Sequence, residues 1–150
     1  MKVLVQRSLA SSVSINNKIV GKIDKGLVLL VGFTEGDNEE IIDKMVKKVI
    51  NLRIFDDENG VMNKSLLDVN GSILSISQFT LYANTKKGNR PSYIEALNGS
   101  LASPLYDLFN KKLKEQGVIV ETGVFGADMK VSITNDGPID RKSTRLNSSH

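Results

Sequence analysis

The sequence predicts a single-domain α/β protein with antiparallel-rich sheets and two main helices packed on one side. Three observations carry this. Residues 26–33 form a continuous apolar run bounded by Gly26 and Gly32, as expected of a central strand covered on both faces. Residues 12–15 and 18–20 flank Asn16-Asn17, a pair that tolerates the positive φ of a tight hairpin turn. Two later segments, around residues 41–49 and 105–113, repeat their apolar residues at helical spacing.

In chain order, residues 2–8 read as a first strand, with Val3 and Val5 on one face and Leu4 on the other. After the hairpin and the central strand comes the first helix. Asp37 is expected to cap it, with Glu40 three residues on completing a capping box. Its buried stripe is Ile41, Ile42, Met45, Val46 and Val49, and Glu40/Lys44 and Asp43/Lys47 pair at i,i+4 on the wet side. Leu52-Arg53-Ile54-Phe55 reads as a short strand leading into Asp56-Asp57-Glu58-Asn59-Gly60. A calcium-loop spacing fails there, because its first ligand position falls on Phe55 and the residue six past Gly60 is Leu66. The loop is therefore a polar Asn-Gly turn. Asp68-Val69-Asn70-Gly71 is another turn, ahead of the buried strand Ile73-Leu74-Ser75-Ile76. Ser92 and Glu95, behind Pro91, suggest a second capping box opening a short helix to Leu97. A further helix starts at Ser103, has Pro104 in its first turn, buries Leu105, Leu108, Phe109 and Leu113, and ends at Gly117. Val118-Ile119-Val120 and Val131-Ser132-Ile133 close the set of strands.

Composition narrows the function classes. Hydrophobic content of 40% and charged content of 25% fit an ordinary soluble domain, and no apolar run approaches the roughly 20 residues of a membrane span. The N-terminus has no signal-peptide layout, and the lack of cysteine excludes disulfides, thiolate nucleophiles and zinc–cysteine sites. Together these fit a cytoplasmic protein. Residues 140–150, DRKSTRLNSSH, carry no apolar periodicity and match, in order, one reading frame of a common sequencing-library adapter. We read residues 1–139 as the domain and residues 140–150 as an adapter-derived tail, with a native Ser/Arg tail as the alternative. Without the tail, 20 basic and 17 acidic residues become 17 and 16, so only local charge clusters argue for nucleic acid. His150, the only histidine, lies in the tail; the domain then lacks the residues for histidine acid–base chemistry or a Ser-His-Asp triad. No metal-ligand spacing or cofactor motif stands out, and neither a metal nor a cofactor is expected.

The functional signals gather around Ser77-Gln78-Phe79-Thr80-Leu81, at the end of a buried strand, and the loop that follows. Lys86, Lys87 and Arg90 surround Gly88 there, a basic segment suited to a phosphate backbone. Taken alone, the first cluster also reads as a satisfied strand edge and the second as a solvated turn. Two more segments stand out: Gly123-Val124-Phe125-Gly126-Ala127-Asp128-Met129 and Asn135-Asp136-Gly137-Pro138. In this order and spacing, with Gln6-Arg7 and Leu52-Arg53-Ile54-Phe55, they resemble the signature segments of the D-aminoacyl-tRNA deacylase family over residues 1–139.

The resemblance implies a barrel-like core with the helices packed outside, and a homodimer acting on D-aminoacyl-tRNA. It implies no part for DNA or membrane. In such a homodimer Gly137-Pro138, with a cis bond, enters the neighbour's site, where its main-chain carbonyls exclude an L side chain by clash and admit a D side chain or glycine. Arg7 would hold that segment and Met129 would line the pocket. The reaction would be hydrolysis of the ester to the tRNA 3′-terminal ribose, with Ser77, Gln78, Phe79 and Thr80 as the catalytic group. Within it, backbone N–H groups around Phe79 and Thr80 would stabilise the oxyanion. Thr80 lacks a neighbouring base to activate it as a nucleophile, and the tRNA 2′-OH would assist a water. Lys86, Lys87 and Arg90 would meet acceptor-stem phosphates. The residues themselves also allow a non-catalytic tRNA- or RNA-binding module, or a general Ser/Thr esterase.

The family pattern continues past Gly-Pro with a threonine and an apolar strand, where this chain turns into Asp140 and the tail. Loss of that strand would expose a sheet edge beside the Gly-Pro loop. The chain is therefore expected to melt below a version with the strand restored; equal melting temperatures would contradict this.

Overall fold

Period-2 alternation in β1 (Lys2–Ser8) buries Val3 and Val5 as the sequence predicts. The computed structural model describes residues 1–138 and the backbone of Arg145–Asn147. β2 (Ser11–Ile15) and β3 (Lys18–Ile23) make the expected hairpin, with Asn16 at φ 51° and Asn17 at φ 64°. β4 (Gly26–Gly32) follows, then α1 (Glu39–Asn51) and the short pair β5 (Phe55–Asp56) and β6 (Met62–Lys64). The chain continues through β7 (Ser72–Ser77), α2 (Gly99–Glu115), β8 (Val120–Thr122), β9 (Lys130–Ser132) and β10 (Arg145–Asn147).

A five-stranded sheet, ordered β10-β1-β4-β7-β8, forms the middle layer. β4 is central as expected, antiparallel to β1 and parallel to β7, which in turn runs parallel to β8. Its odd-numbered residues Leu27, Leu29 and Val31 pack with Ile42, Val49, Phe109 and other residues of the two helices. On the opposite face Val28, Leu74 and Ile76 meet Val13 and Ile23 of the antiparallel sheet β3-β2-β9. The architecture is helices, sheet, sheet. Among the described residues the ladders stay separate, so the barrel-like expectation resolves into packed open sheets with no closed barrel.

Several local expectations need correction. α1 is capped by Asn38, whose Oδ1 accepts from the Ile41 N–H at 3.0 Å, and not by Asp37. Asp37 turns inward instead: its carboxylate lies 2.7 Å from the Met1 ammonium and accepts the Thr34 N–H at 2.8 Å. Asn caps as well as Asp, whereas a buried ammonium needs a carboxylate, which decides between the neighbours. Glu40 pairs with Lys44 as expected, but Asp43 reaches across to Lys112 of α2 at 2.6 Å, beside Glu39 at 2.9 Å. The strand read at residues 52–55 contributes only its last residue to β5. The acidic turn satisfies itself. The N–H groups of Val61 and then Asn59 bond Asp57 and hold its carboxyl below the ordinary value, with Gly60 at φ 72°.

No helix forms at residues 92–97. One turn's worth of capping signals does not offset the cost of nucleation, and the backbone pairs elsewhere, Ser92 with Asn84 and Ala96 with Thr34. α2 starts at Gly99, before the expected Ser103, because Asn98 caps it by accepting the Ser100 N–H at 2.9 Å; Pro104 thus sits inside the helix. Tyr106, Phe109 and Leu113 are its buried stripe, while Leu105 and Leu108 are half-buried. Gly117 ends it at φ 87°. Arg145–Asn147, set aside above as tail, pair antiparallel with residues 2–4 of β1. An edge strand offers free backbone groups to any extended segment within reach.

The Met1–Asp37 pair is almost fully buried, at 0% and 3% side-chain exposure. Asp37→Asn removes the carboxylate charge from the buried ammonium and is expected to cost about 3–5 kcal/mol, read as a lower urea midpoint. An unchanged midpoint would contradict the assignment.

Candidate active site

The site is built where two parallel strands end together. Val31 of β4 lies opposite Ser77 of β7, and the Gln78 N–H donates to the Val31 carbonyl at 2.7 Å. The chain then leaves the sheet in a 3₁₀ turn, Phe79–Tyr82, where the sequence reading carried the strand end through Leu81. Within it the Leu81 N–H reaches the Gln78 carbonyl (3.3 Å), and the Ala83 N–H closes the turn on the Thr80 carbonyl (3.0 Å). The Phe79 and Thr80 N–H groups precede the first donor of the turn, the Leu81 N–H, so they have no partner inside it.

This end of the sheet opens into a cleft of about 580 Å³. Ser77, Gln78 and Phe79 form one wall, and residues 125–129, including Met129, form the other. Thr80 is not a lining residue; its hydroxyl accepts a hydrogen bond from the Gln78 carboxamide. The cleft thus gathers Ser77, Gln78, Phe79 and Met129 from two separate motifs. Two glycines make the walls possible. A Cβ on Gly32 would stand 3.0 Å from the Gln78 carbonyl oxygen and 3.3 Å from Leu81 Cβ, so Gly32 lets the turn fold back onto β4. A Cβ on Gly123 would collide with Met129 Sδ, so Gly123 provides the seat for Met129.

Arg7, Gly137 and Pro138 lie elsewhere. Arg7 Nε donates to the Asp136 carbonyl at 3.0 Å and lies 3.2 Å from its carboxylate; Nη1 donates to the Ile54 carbonyl at 2.8 Å. In return the Asp136 N–H donates to the Arg7 carbonyl at 2.8 Å. Gly137, next in sequence, is joined to Pro138 by a cis peptide bond. Arg7 pairs with Leu27, near the start of β4, whereas the cleft is lined by Val31 and Gly32 at its end. Four strand positions separate Leu27 from Val31, about 13 Å. On the other wall the chain runs six residues from Met129, through β9, to Asn135, which bridges Ser8 beside Arg7. Neither Gly137 nor Pro138 lines the cleft of its own chain.

Lys86, Lys87 and Arg90 sit on an exposed loop that follows the 3₁₀ turn. Backbone hydrogen bonds of 2.8 Å in both directions between Asn84 and Ser92 close its base, and Gly88 adopts φ 140°. Among the described residues no group of three or more His, Asp or Glu side chains could hold a metal, and no helix is long and apolar enough to cross a membrane. The sequence reading missed Tyr93 and Phe125 as lining residues. Tyr93 was assigned to a helix that does not form, while its edge contact with Phe79 (5.2 Å between centroids) comes from the 84–92 bridge. Phe125 lay inside a motif already singled out, and only its side chain's direction was hidden.

Gly123→Ala tests the seat of Met129. The atom it would meet is the far end of a flexible side chain, so Met129 is expected to swing aside at little cost in stability and its methyl NMR resonance to shift; an unmoved Met129 resonance would contradict the seat.

Residues 4–141 match the model of the family described as D-Tyr-tRNA(Tyr) deacylase. The chain is 56% identical to the D-aminoacyl-tRNA deacylase of Limosilactobacillus reuteri, over 92% of this chain and 95% of that one. It is 57% identical to that of Flavobacterium psychrophilum, over 93% of each. Among solved structures, the c-Myc DNA Unwinding Element Binding Protein superposes with a TM-score of 0.88 at 35% identity, covering 97% of this chain and 96% of that one. A probable eukaryotic D-amino acid tRNA deacylase shares the fold, with a TM-score of 0.79 at 18% identity and the same coverage. By sequence over nearly its whole described length, this chain belongs to the D-Tyr-tRNA(Tyr) deacylase family.

Proposed function

We propose that this chain, through residues 1–139, is a cytoplasmic D-aminoacyl-tRNA deacylase. It hydrolyses the ester between a D-amino acid and the 3′-terminal ribose of tRNA, and accepts glycyl-tRNA while rejecting L-aminoacyl-tRNA. The observation that carries the reading is the junction of β7 with its 3₁₀ turn. Two backbone N–H groups have no partner inside the turn: that of Phe79, which lines the cleft with Ser77, Gln78 and Met129, and that of Thr80, the next residue. An ester is already activated, so fixed donors and good positioning can supply the catalysis without a histidine. Water adds to the ester carbonyl carbon, assisted by the ribose 2′-OH, and the N–H pair stabilises the oxyanion. The bond to the 3′-oxygen then breaks, that oxygen takes a proton, and the free amino acid leaves. The Thr80 hydroxyl, engaged by Gln78, serves the turn and is not the nucleophile.

Chiral selection is assigned to a homodimer. Because Gly137 and Pro138 do not line their own cleft, and Arg7 lies opposite Leu27, about 13 Å along β4 from the lining residue Val31, the segment that Arg7 braces is available to a partner's cleft instead. Its carbonyls would pack against the substrate Cα and leave no room for an L side chain. Lys86, Lys87 and Arg90 would meet tRNA phosphates, which makes affinity fall with salt.

The test is ester loss from tyrosyl-tRNA charged with D- or L-tyrosine, at neutral pH. Rapid loss of the D ester with the L ester intact is expected. Binding of tRNA without turnover would instead favour an RNA-binding module. Loss of both esters, abolished by Thr80→Ala, would favour a general Ser/Thr esterase.

A further inference from the structure

The two cleft walls come from distant parts of the chain, and a single buried side chain touches the support of both. Tyr106 of α2 is 3% exposed. Its hydroxyl donates to the Ser75 carbonyl at 2.7 Å. Ser75 lies on β7 two residues before Ser77, where the first wall begins, and pairs with Thr122 of β8, immediately before Gly123. The Tyr106 ring lies against Phe125 of the second wall, with 5.9 Å between centroids and a 45° tilt. We propose that Tyr106 is a positioning residue of this cleft, its hydroxyl pinning the strand behind one wall while its ring seats the other. The inference rests on the deacylase reading for its catalytic consequence, though not for its geometry.

The surrounding chemistry makes the hydroxyl informative. Apart from Ser75 and Asn110, this layer between α2 and the sheet is apolar, with Phe109, Leu29 and Ile73 fully buried in it. A phenylalanine at position 106 would fill the same volume without bringing a polar group into the core. The hydroxyl must be satisfied where it lies, and the Ser75 carbonyl satisfies it; Asn110, one helical turn on, is a buried polar neighbour. Burial accordingly pushes the Tyr106 phenol above its ordinary value, with Ser75 and the Asn110 side chain acting in the other direction. Neutral and anchored, it fixes the lateral position of β7 just below Ser77. Because a site working through positioned backbone donors has no strong acid or base to mask misalignment, a small shift of either wall should appear in kcat.

The experiment compares Tyr106→Phe, Phe125→Leu and the double variant with the wild type on D-tyrosyl-tRNA. Methionine-methyl NMR spectra are recorded on the same proteins. Tyr106→Phe is expected to lower kcat about tenfold while KM changes less than about twofold. The Met129 methyl resonance should move and that of Met62, on β6 away from the cleft, should stay. Phe125→Leu should give a loss of the same kind, and the double variant should lose less than the product of the two. A Tyr106→Phe protein with a lower melting temperature but wild-type kcat and an unmoved Met129 resonance would overturn the proposal. Tyr106 would then merely hold α2 to the sheet. Strictly multiplicative losses would overturn the link between the walls. If the wild type does not cleave the D ester, the deacylase reading fails alone, and the Met129 resonance in Tyr106→Phe still decides whether Tyr106 positions the wall.

Discussion

The rest of the structure depends on the backbone pairing of β4 with β1 on one side and β7 on the other. β4 is seven residues long and buried on both faces, so its two ends are fixed relative to each other. At its start, β1 presents Arg7 and holds the segment that leads to Gly137. At its end, β7 stops beside Val31 and the chain turns out of the sheet. A strand of this length does not shorten, and side chains alone do not span the distance. The two ends of β4 therefore serve two different sites on one chain, or one site shared between two chains.

That rigidity suits chemistry done by the main chain. Side chains can be re-aimed by a rotamer change, whereas an N–H at the head of a 3₁₀ turn moves only if the turn moves. Gly32 allows the turn to press against β4, and the Gln78–Val31 hydrogen bond ties its first residue to the sheet. Preorganised donors cost no rearrangement when charge develops on the substrate. The facing wall is held differently, by Met129 folded over Gly123 and Phe125 resting on Tyr106. Side-chain packing holds that wall, and the sheet's hydrogen bonds hold the first.

Much of this was legible in the sequence, for identifiable reasons. The glycine-bounded run gave β4 because only a strand buried on both faces is apolar without alternation, and Asn16-Asn17 gave the hairpin because few residue pairs accept two positive φ values. Local signals failed where a distant partner outcompeted them. Asp37 had the look of a cap until the Met1 ammonium claimed it, and Ser92 and Glu95 had the look of a capping box until Asn84 paired with Ser92 itself and Thr34 with Ala96. Pro104 marked a false helix start because Asn98, five residues before Ser103, caps as effectively. Of the site, residues 77–79 and Met129 were readable as motifs. Their meeting in one cleft, and the remoteness of Gly137 and Pro138 from it, follow from strand direction and register, which no short segment encodes.

The central claim is that a cleft and the Gly-Pro segment that screens its substrate belong to different chains. Its most direct test mixes two variants: Pro138→Gly, with an intact cleft, and Ala127→Trp, which puts a bulky ring on a residue lining the cleft and leaves the Gly-Pro segment intact. Pro138→Gly alone should cleave L-tyrosyl-tRNA. Refolding it with an excess of Ala127→Trp should restore rejection of the L ester while D-ester cleavage persists, since each working cleft would then face a wild-type Gly137-Pro138. L-ester cleavage that persists per working cleft, with mixed dimers seen by native mass spectrometry, would contradict the account.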